Sequence, residues 1–100
     1  MHARVTTIQG QPDAVEDAVR QVESEVLPLL GKQEGFKGFT LHVDRSTGKL
    51  VGTSYWESQE AMDSSEEAVS GPREEAARRG GASGVAAVER YEVVIDTMAG

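Results

Sequence analysis

The sequence predicts an α+β sandwich in which a four-stranded antiparallel sheet carries two helices on one face. Three observations lead there: four stretches with strand character, helical stretches after the first and third of them, and a turn cluster joining the middle pair. The 100 residues give room for one domain, 1–100, around one modest core.

His2 to Gln9, HARVTTIQ, clusters β-branched Val5, Thr6, Thr7 and Ile8 ahead of the Gly10-Gln11-Pro12 break and reads as the first strand. Pro12 suits a first helical turn, where its missing N–H would be unpaired anyway, and Asp13, Glu16 and Asp17 suit the positive end of the helix dipole. Val15, Ala18, Val19, Val22, Val26, Leu29 and Leu30 recur at three- and four-residue spacing, giving one apolar stripe on a helix of about five turns. Pro28 predicts a kink or a loosened last turn before the Gly31 to Gly35 connection.

In Phe36 to Asp44, Phe39, Leu41 and Val43 alternate with Gly38, Thr40 and His42, which makes the second strand. Arg45-Ser46-Thr47-Gly48 is a turn cluster, and Lys49 to Glu57, with Val51, Thr53, Tyr55 and Trp56, completes a β-hairpin. Setting Asp44 opposite Lys49 pairs Val43 with Leu50, Leu41 with Gly52 and Phe39 with Ser54, and brings Lys37 near Trp56.

Ser58 is the expected N-cap of the second helix, whose less polar face over Gln59 to Ser70 is Ala61, Met62, Ser65, Ala68 and Val69. Gly71-Pro72 is expected to interrupt this helix as a lid-like corner, Pro72 opening a new turn that ends at Gly80-Gly81. Val85 to Asp96 has Val85, Ala87, Tyr91, Val93 and Ile95 at even spacing and reads as the last strand, before the tail Thr97-Met98-Ala99-Gly100.

With right-handed crossovers, the order βαββαβ folds most simply into a ferredoxin-like sandwich. Its uncovered sheet face is expected to hold Thr40, Val51, Thr53, Tyr55, Val88 and Val94, with His42, Arg90 and Glu92 interspersed. Such a face is too apolar to be well solvated, so a homodimer through the open sheet face is expected.

Seventeen Asp plus Glu against ten Lys plus Arg give a formal charge of -7, which repels phosphate backbones and anionic lipid. Neither a nucleic acid nor a membrane partner is expected. The absence of Cys excludes disulfides, thiolate catalysis and Cys-based zinc or iron–sulfur sites. No apolar run reaches the length of a membrane span, and Met1-His2-Ala3-Arg4-Val5 lacks the apolar core of a signal peptide, so a cytoplasmic location is expected.

The segment Gly52-Thr53-Ser54-Tyr55-Trp56-Glu57-Ser58-Gln59-Glu60-Ala61 resembles the strand-to-helix junction of the antibiotic biosynthesis monooxygenase family: Trp, an acidic residue or serine, then Glu-Ala opening a helix. The Gly35-Phe36-Lys37-Gly38-Phe39 approach to the second strand and the βαββαβ order are similar as well. The resemblance implies a dimeric α/β barrel of two packed four-stranded sheets, with a small pocket between each sheet and its helices. Family members include cofactor-independent oxygenases of polyaromatic quinols, quinol oxygenases and haem-degrading enzymes. It therefore implies a monooxygenase-like small-molecule pocket protein that oxidises a phenolic or quinol substrate. The alternative is a non-catalytic dimeric ligand-binding or stress-associated module. Oxygenase and haem-degrading members typically carry an Asn on a strand and a His or Tyr on the helix after the tryptophan. This chain has no Asn, and Met62 to Glu67 contains neither His nor Tyr, so no cofactor is expected.

Trp56 is the candidate wall of a pocket for a small aromatic ligand, with Phe39, Ser54 and Met62 around it. Folding alone also explains it, since burying an aromatic ring contributes roughly 4–6 kcal/mol. Histidine titrates nearest neutrality, which makes His42 the candidate general base for a phenol or quinol, although the hairpin register turns it away from Phe39 and Trp56. His2 sits at a terminus, and Tyr55 and Tyr91 read as packing residues. Arg73, Arg78 and Arg79 beside Glu66, Glu67, Glu74 and Glu75 read as a solvated helix face rather than a grip for a carboxylate. Gly80-Gly81-Ala82-Ser83-Gly84 follows a helix and enters a strand, the reverse of a phosphate-binding loop, and reads as a cap and connection. No metal site is expected.

Overall fold

The computed structural model describes residues 1–82, 84 and 86–98. Strand β1 spans His2–Gln9, β2 Phe36–Asp44, β3 Lys49–Trp56 and β4 Ala87–Glu92. They form one sheet in the order β2-β3-β1-β4, every neighbouring pair antiparallel. Helical residues 12–31 form α1 and Gln59–Arg79 form α2. Both helices pack on one sheet face around Ile8, Leu30, Leu50, Trp56, Met62 and Val69, which is the expected ferredoxin-like sandwich.

The hairpin follows the expected register from Asp44 opposite Lys49 to Phe39 opposite Ser54. Asp44 closes its turn: the carbonyl accepts from the Gly48 N–H at 2.8 Å and the carboxylate from the Ser46 N–H at 3.0 Å. Gly48 has a φ of 80°, and a Cβ there would lie 2.5 Å from the Gln11 carbonyl carbon, so glycine is required by both conformation and space. At the other end the expected pairing of Lys37 with Trp56 is replaced by Phe36 with Trp56. A bulge between Phe36 and Gly38 takes Lys37 out of the ladder into solvent. The Phe36 ring then packs edge-on to Trp56, centroids 5.5 Å apart.

Helix α1 runs from a 3-10 turn at Pro12–Ala14 through α-helical Val15–Gln21 and a π-helical turn at Val22–Val26 to α-helical Leu27–Gly31. The irregularity expected after Pro28 thus lies before it. Pro28 has no N–H to offer the Ser24 carbonyl, and the ladder has already widened there, with the Leu27 N–H bonded to the Val22 carbonyl. Ala18, Val22, Val26 and Leu30 stand four residues apart, a spacing that drifts about 40° per step on a regular α-helix. The wider turn takes back part of that drift, and all four are buried.

Gly71-Pro72 does not interrupt α2, which continues from Gln59 to Arg79 with Pro72 inside it. Proline removes one ladder bond, while Val69 before it and Ala76 and Ala77 after it are buried anchors that hold both halves to the core. The lid-like corner is absent for that reason. Ser58 caps the helix as expected, its Oγ accepting from the Ala61 N–H at 3.1 Å. Met62, Ser65 and Val69 are buried, whereas Ala68 faces solvent.

Strand β4 is shorter than Val85 to Asp96 and its faces are reversed. Pairing with β1 extends to Glu92, and the Val93 N–H adds a bond to the Met1 carbonyl at 2.9 Å. Val88, Arg90 and Glu92 stand opposite Thr6, Arg4 and His2, on the helix side rather than on the open face. Ala87, Glu89 and Tyr91 instead share the open face with Ala3, Val5 and Thr7. Val94 lies beyond the ladder and is 81% exposed. Val85, Ser83 of the glycine connection, and Ala99 and Gly100 of the tail fall outside the described residues. Among the described residues, no helix is long and apolar enough to cross a membrane.

Candidate functional site

A glycine in the middle of the inner sheet face opens the site. Gly52 lies on β3 between buried Leu50 and Ser54, in a register position that faces the helices. The absent side chain leaves a cavity of about 50 Å³ between the sheet and both helices. Its walls are mostly apolar: Ile8 from β1, Phe39 and Leu41 from β2, the Ala18, Val22, Val26 and Leu30 stripe of α1, and Val69 and Ala76 from α2. Four polar side chains reach it: Arg4, Thr6, Ser54 and Arg73. A Cβ on Gly52 would meet the Phe39 ring at 3.2 Å and 3.3 Å. Gly52→Ala is therefore expected to narrow the void by a small shift of Phe39, changing stability by about 1 kcal/mol or less. Uptake of xenon, followed by methyl NMR shifts, is expected to fall several-fold in this variant. An unchanged xenon response would place the accessible void elsewhere.

The polar end of the cavity is built on Arg4. Its place opposite Ser54 on β3 and Arg90 on β4 turns it toward the helices, where it is 3% exposed. Its Nη1 donates to the Met62 carbonyl at 3.1 Å, to Ser65 Oγ at 3.0 Å and to Glu66 Oε1 at 3.3 Å. Ser65 Oγ in turn donates to the Met62 carbonyl at 2.7 Å. The guanidinium carbon lies 5.3 Å from the centroid of the Trp56 ring, a cation–π contact. Burial is the main reason the Arg4 guanidinium is held below its ordinary value, with Glu66 opposing that effect.

Glu66 is shared by three arginines. Besides Arg4 it accepts from Arg73, through both terminal nitrogens, and forms an ion pair with Arg90, whose Nη2 lies 3.3 Å away. Arg90 also lies 3.7 Å from Asp63. Arg73 thus belongs to the cavity wall rather than to a solvated face, whereas Arg78 and Arg79 pair with Glu75 at the surface.

The expected pocket residues fall into two layers. Phe39 and Ser54 line the cavity. Trp56 and Met62 are fully buried and stand outside its lining, with Trp56 joined to it by an Nε1–H bond to Ser54 Oγ at 2.8 Å. His42 is exposed on the open face opposite Val51, away from the cavity. His2 faces the helices opposite Trp56 and Glu92, its Nδ1 buried with no partner among the described residues. Tyr55 and Tyr91 flank buried Ala3 on the open face, and the Tyr91 hydroxyl donates to Glu89 at 2.8 Å. Arg4 was hidden in the sequence because Ala3, Val5 and Thr7 are the more apolar alternation of β1. Only the pairing of His2, Arg4, Thr6 and Ile8 with Trp56, Ser54, Gly52 and Leu50 reveals which set turns inward.

Helix α2 meets the cavity through Val69, Arg73 and Ala76, none of which ligates iron, so the side chains present do not fit a haem held from that helix. Among the described residues, no cluster of three or more His, Asp or Glu side chains forms a metal cage.

Comparison with known proteins places this geometry. The chain is similar to a monooxygenase from the gene ActVA-Orf6 of Streptomyces coelicolor, solved in complex with nanaomycin D, with a TM-score of 0.80, 17% identity, and coverage of 99% of this chain and 92% of that one. It is similar to Rv0793 from Mycobacterium tuberculosis, with a TM-score of 0.74, 16% identity, and coverage of 96% and 97%. In sequence it is 39% identical over 93 residues to the uncharacterized protein Rv2557 of Mycobacterium tuberculosis, covering 93% of this chain and 41% of that protein. The uncharacterized protein Rv2558 of the same organism is 38% identical over 95 residues, covering 95% of this chain and 39% of its own length. The chain therefore spans about two fifths of these relatives. The sequence profile of one family, described as antibiotic biosynthesis monooxygenase, matches residues 1–69, from the strand bearing Arg4 through the Trp56 junction to Val69 of the cavity wall, and the chain belongs to that family.

Proposed function

We propose that the chain is a pocket protein that admits a small aromatic molecule between sheet and helices, and that it oxidises a phenolic or quinol ligand with dioxygen. The observation that carries this reading is the apolar cavity closed at one end by the buried Arg4 guanidinium and the Trp56–Ser54 pair. In chemistry of this kind the deprotonated ring passes an electron to oxygen, so the protein has to bind the ring, favour its anion and exclude water. Arg4 and Arg73 supply the positive end, and the leucine and valine walls exclude water. The void, about 50 Å³, is a fraction of the roughly 150 Å³ that accommodates benzene, so entry of a ring requires Phe39 to swing off Gly52.

A second reading, a ligand-binding module without turnover, is favoured by the lining itself. Among the described residues no carboxylate, imidazole or phenol lines the cavity, so the protein offers no proton acceptor there beyond two hydroxyls. Titrating the emission of Trp56, the single tryptophan, with quinols and anthrones while recording dissolved oxygen separates the readings. Saturable quenching with oxygen uptake is the result expected of an oxygenase, and saturable quenching without uptake leaves the binding module. No response to any ring compound removes both.

A homodimer through the open sheet face belongs to the same proposal. Ala3, Val5, Val51 and Thr53 make the centre of that face apolar or β-branched, and Thr40 Oγ1 is buried there with no hydrogen-bond partner among the described residues. Light scattering is expected to return twice the chain mass, and a monomer at tens of micromolar would overturn this part.

A further inference from the structure

We infer that the cavity receives a small aromatic monocarboxylate, its two oxygens seated on the Nε/Nη2 edge of Arg4; this rests on the pocket reading above and names the group that anchors its ligand. The three hydrogen bonds of Arg4 all leave from Nη1. Nε and Nη2 have no acceptor among the described residues. Arg4 is one of the residues that line the cavity, and this unpaired edge is what it has left to offer a ligand there. That edge of a guanidinium presents two parallel N–H donors, spaced for the two oxygens of a carboxylate, whereas a phenolate or ketone offers a single oxygen.

Charge points the same way. Three guanidinium groups, Arg4, Arg73 and Arg90, meet two carboxylates, Glu66 and Asp63, so the cluster keeps one uncompensated positive charge beside the void. One anionic group on the ligand neutralises it. Ser54 Oγ already accepts from Trp56 Nε1 at 2.8 Å, which leaves its own proton to donate to a carboxylate oxygen. The remaining walls include Val22, Leu30, Phe39 and Leu41, which suit a short branched or aromatic tail. The charged head and the apolar tail thus have separate receptors within one small space.

Benzoate and benzyl alcohol, nearly equal in shape and differing in charge, test this on the intact chain near neutral pH. Isothermal titration is expected to show benzoate binding at least about tenfold more tightly, with the preference abolished in Arg4→Met while benzyl alcohol still binds. In the wild-type protein benzoate, but not benzyl alcohol, is expected to shift the Nε–H NMR signal of Arg4, a readout that does not depend on the variant folding. Equal affinities, or an unmoved Arg4 signal at saturating benzoate, overturn the carboxylate assignment and leave the aromatic pocket standing. Binding of neither compound overturns both.

Discussion

Replacing Trp56 with alanine is expected to destabilise the chain by about 3–5 kcal/mol, the largest loss from any single truncation in this core. Trp56 is 0% exposed, packs edge-on against Phe36, donates to Ser54 and lies under the Arg4 guanidinium. Truncation removes the apolar burial and the indole N–H together. It also withdraws the π face from a cation that is only 3% exposed. The new void would lie behind Ser54, against the cavity already present, so neighbouring side chains have little scope to collapse into it. Small domains often hold only about 5–15 kcal/mol, so the variant will be close to unfolding at ambient temperature. Urea denaturation followed by far-UV circular dichroism checks this, since the variant keeps no tryptophan to report by fluorescence. Trp56→Phe retains a ring beside Phe36 and Arg4 and is expected to lose less than half as much. A loss below about 1 kcal/mol for Trp56→Ala would mean that the junction tryptophan is not a principal support of the core.

How far the sequence carried this architecture depends on whether a pattern was local or needed a partner. The hairpin was legible because its turn residues and its alternation agree: Asp44, Gly48 and the apolar series Phe39, Leu41, Val43 fix register from both ends. Trp56 and Ser54 were legible as inner-face residues for the same reason, and Gly52, two residues before Ser54, was the local trace of the cavity. Strand β4 was misread because Val85 to Asp96 alternates acceptably in either phase; only its pairing with β1 sets Val88, Arg90 and Glu92 on the helix side. Gly71-Pro72 carries a strong local signal for a break. It lost to tertiary packing, since Val69, Ala76 and Ala77 are buried on either side and one missing ladder bond costs less than undocking them. Arg4 was the least legible of all. A charged residue in a strand ordinarily faces water, and nothing within eight residues of it announces Glu66, Arg73 or Met62, which reach it only through the fold.

Glu66→Gln is expected to cost about 2 kcal/mol at neutral pH and to make the chain less sensitive to acid than the wild type. The carboxylate, 31% exposed, is the one anion shared by Arg4, Arg73 and Arg90, and Arg4 at 3% exposure is poorly placed to replace it with water. The loss stays moderate because Arg4 keeps the Met62 carbonyl and Ser65 Oγ as acceptors and the amide can still accept. Hydrogen bonds from Arg73, then the charges of Arg73, Arg4 and Arg90, hold Glu66 below its ordinary value of 4.5 against the opposing effect of burial. The folded state therefore binds its proton less readily than the unfolded chain. Its contribution is complete above the ordinary carboxylate range and is lost as pH falls through the lowered folded value. Urea midpoints between about pH 6 and about pH 3 are expected to fall more steeply in the wild type, while Glu75 and Asp44, also lowered, titrate alike in both proteins and cancel in the difference. Parallel slopes would show that Glu66 is a solvated surface acid. The same substitution raises the uncompensated charge of the arginine cluster by one, so it is expected to tighten benzoate binding while weakening the fold. A purely structural Glu66 would move stability and ligand affinity together; opposite signs in the two measurements identify the cluster as tuned for an anion in the cavity rather than for the stability of the sandwich.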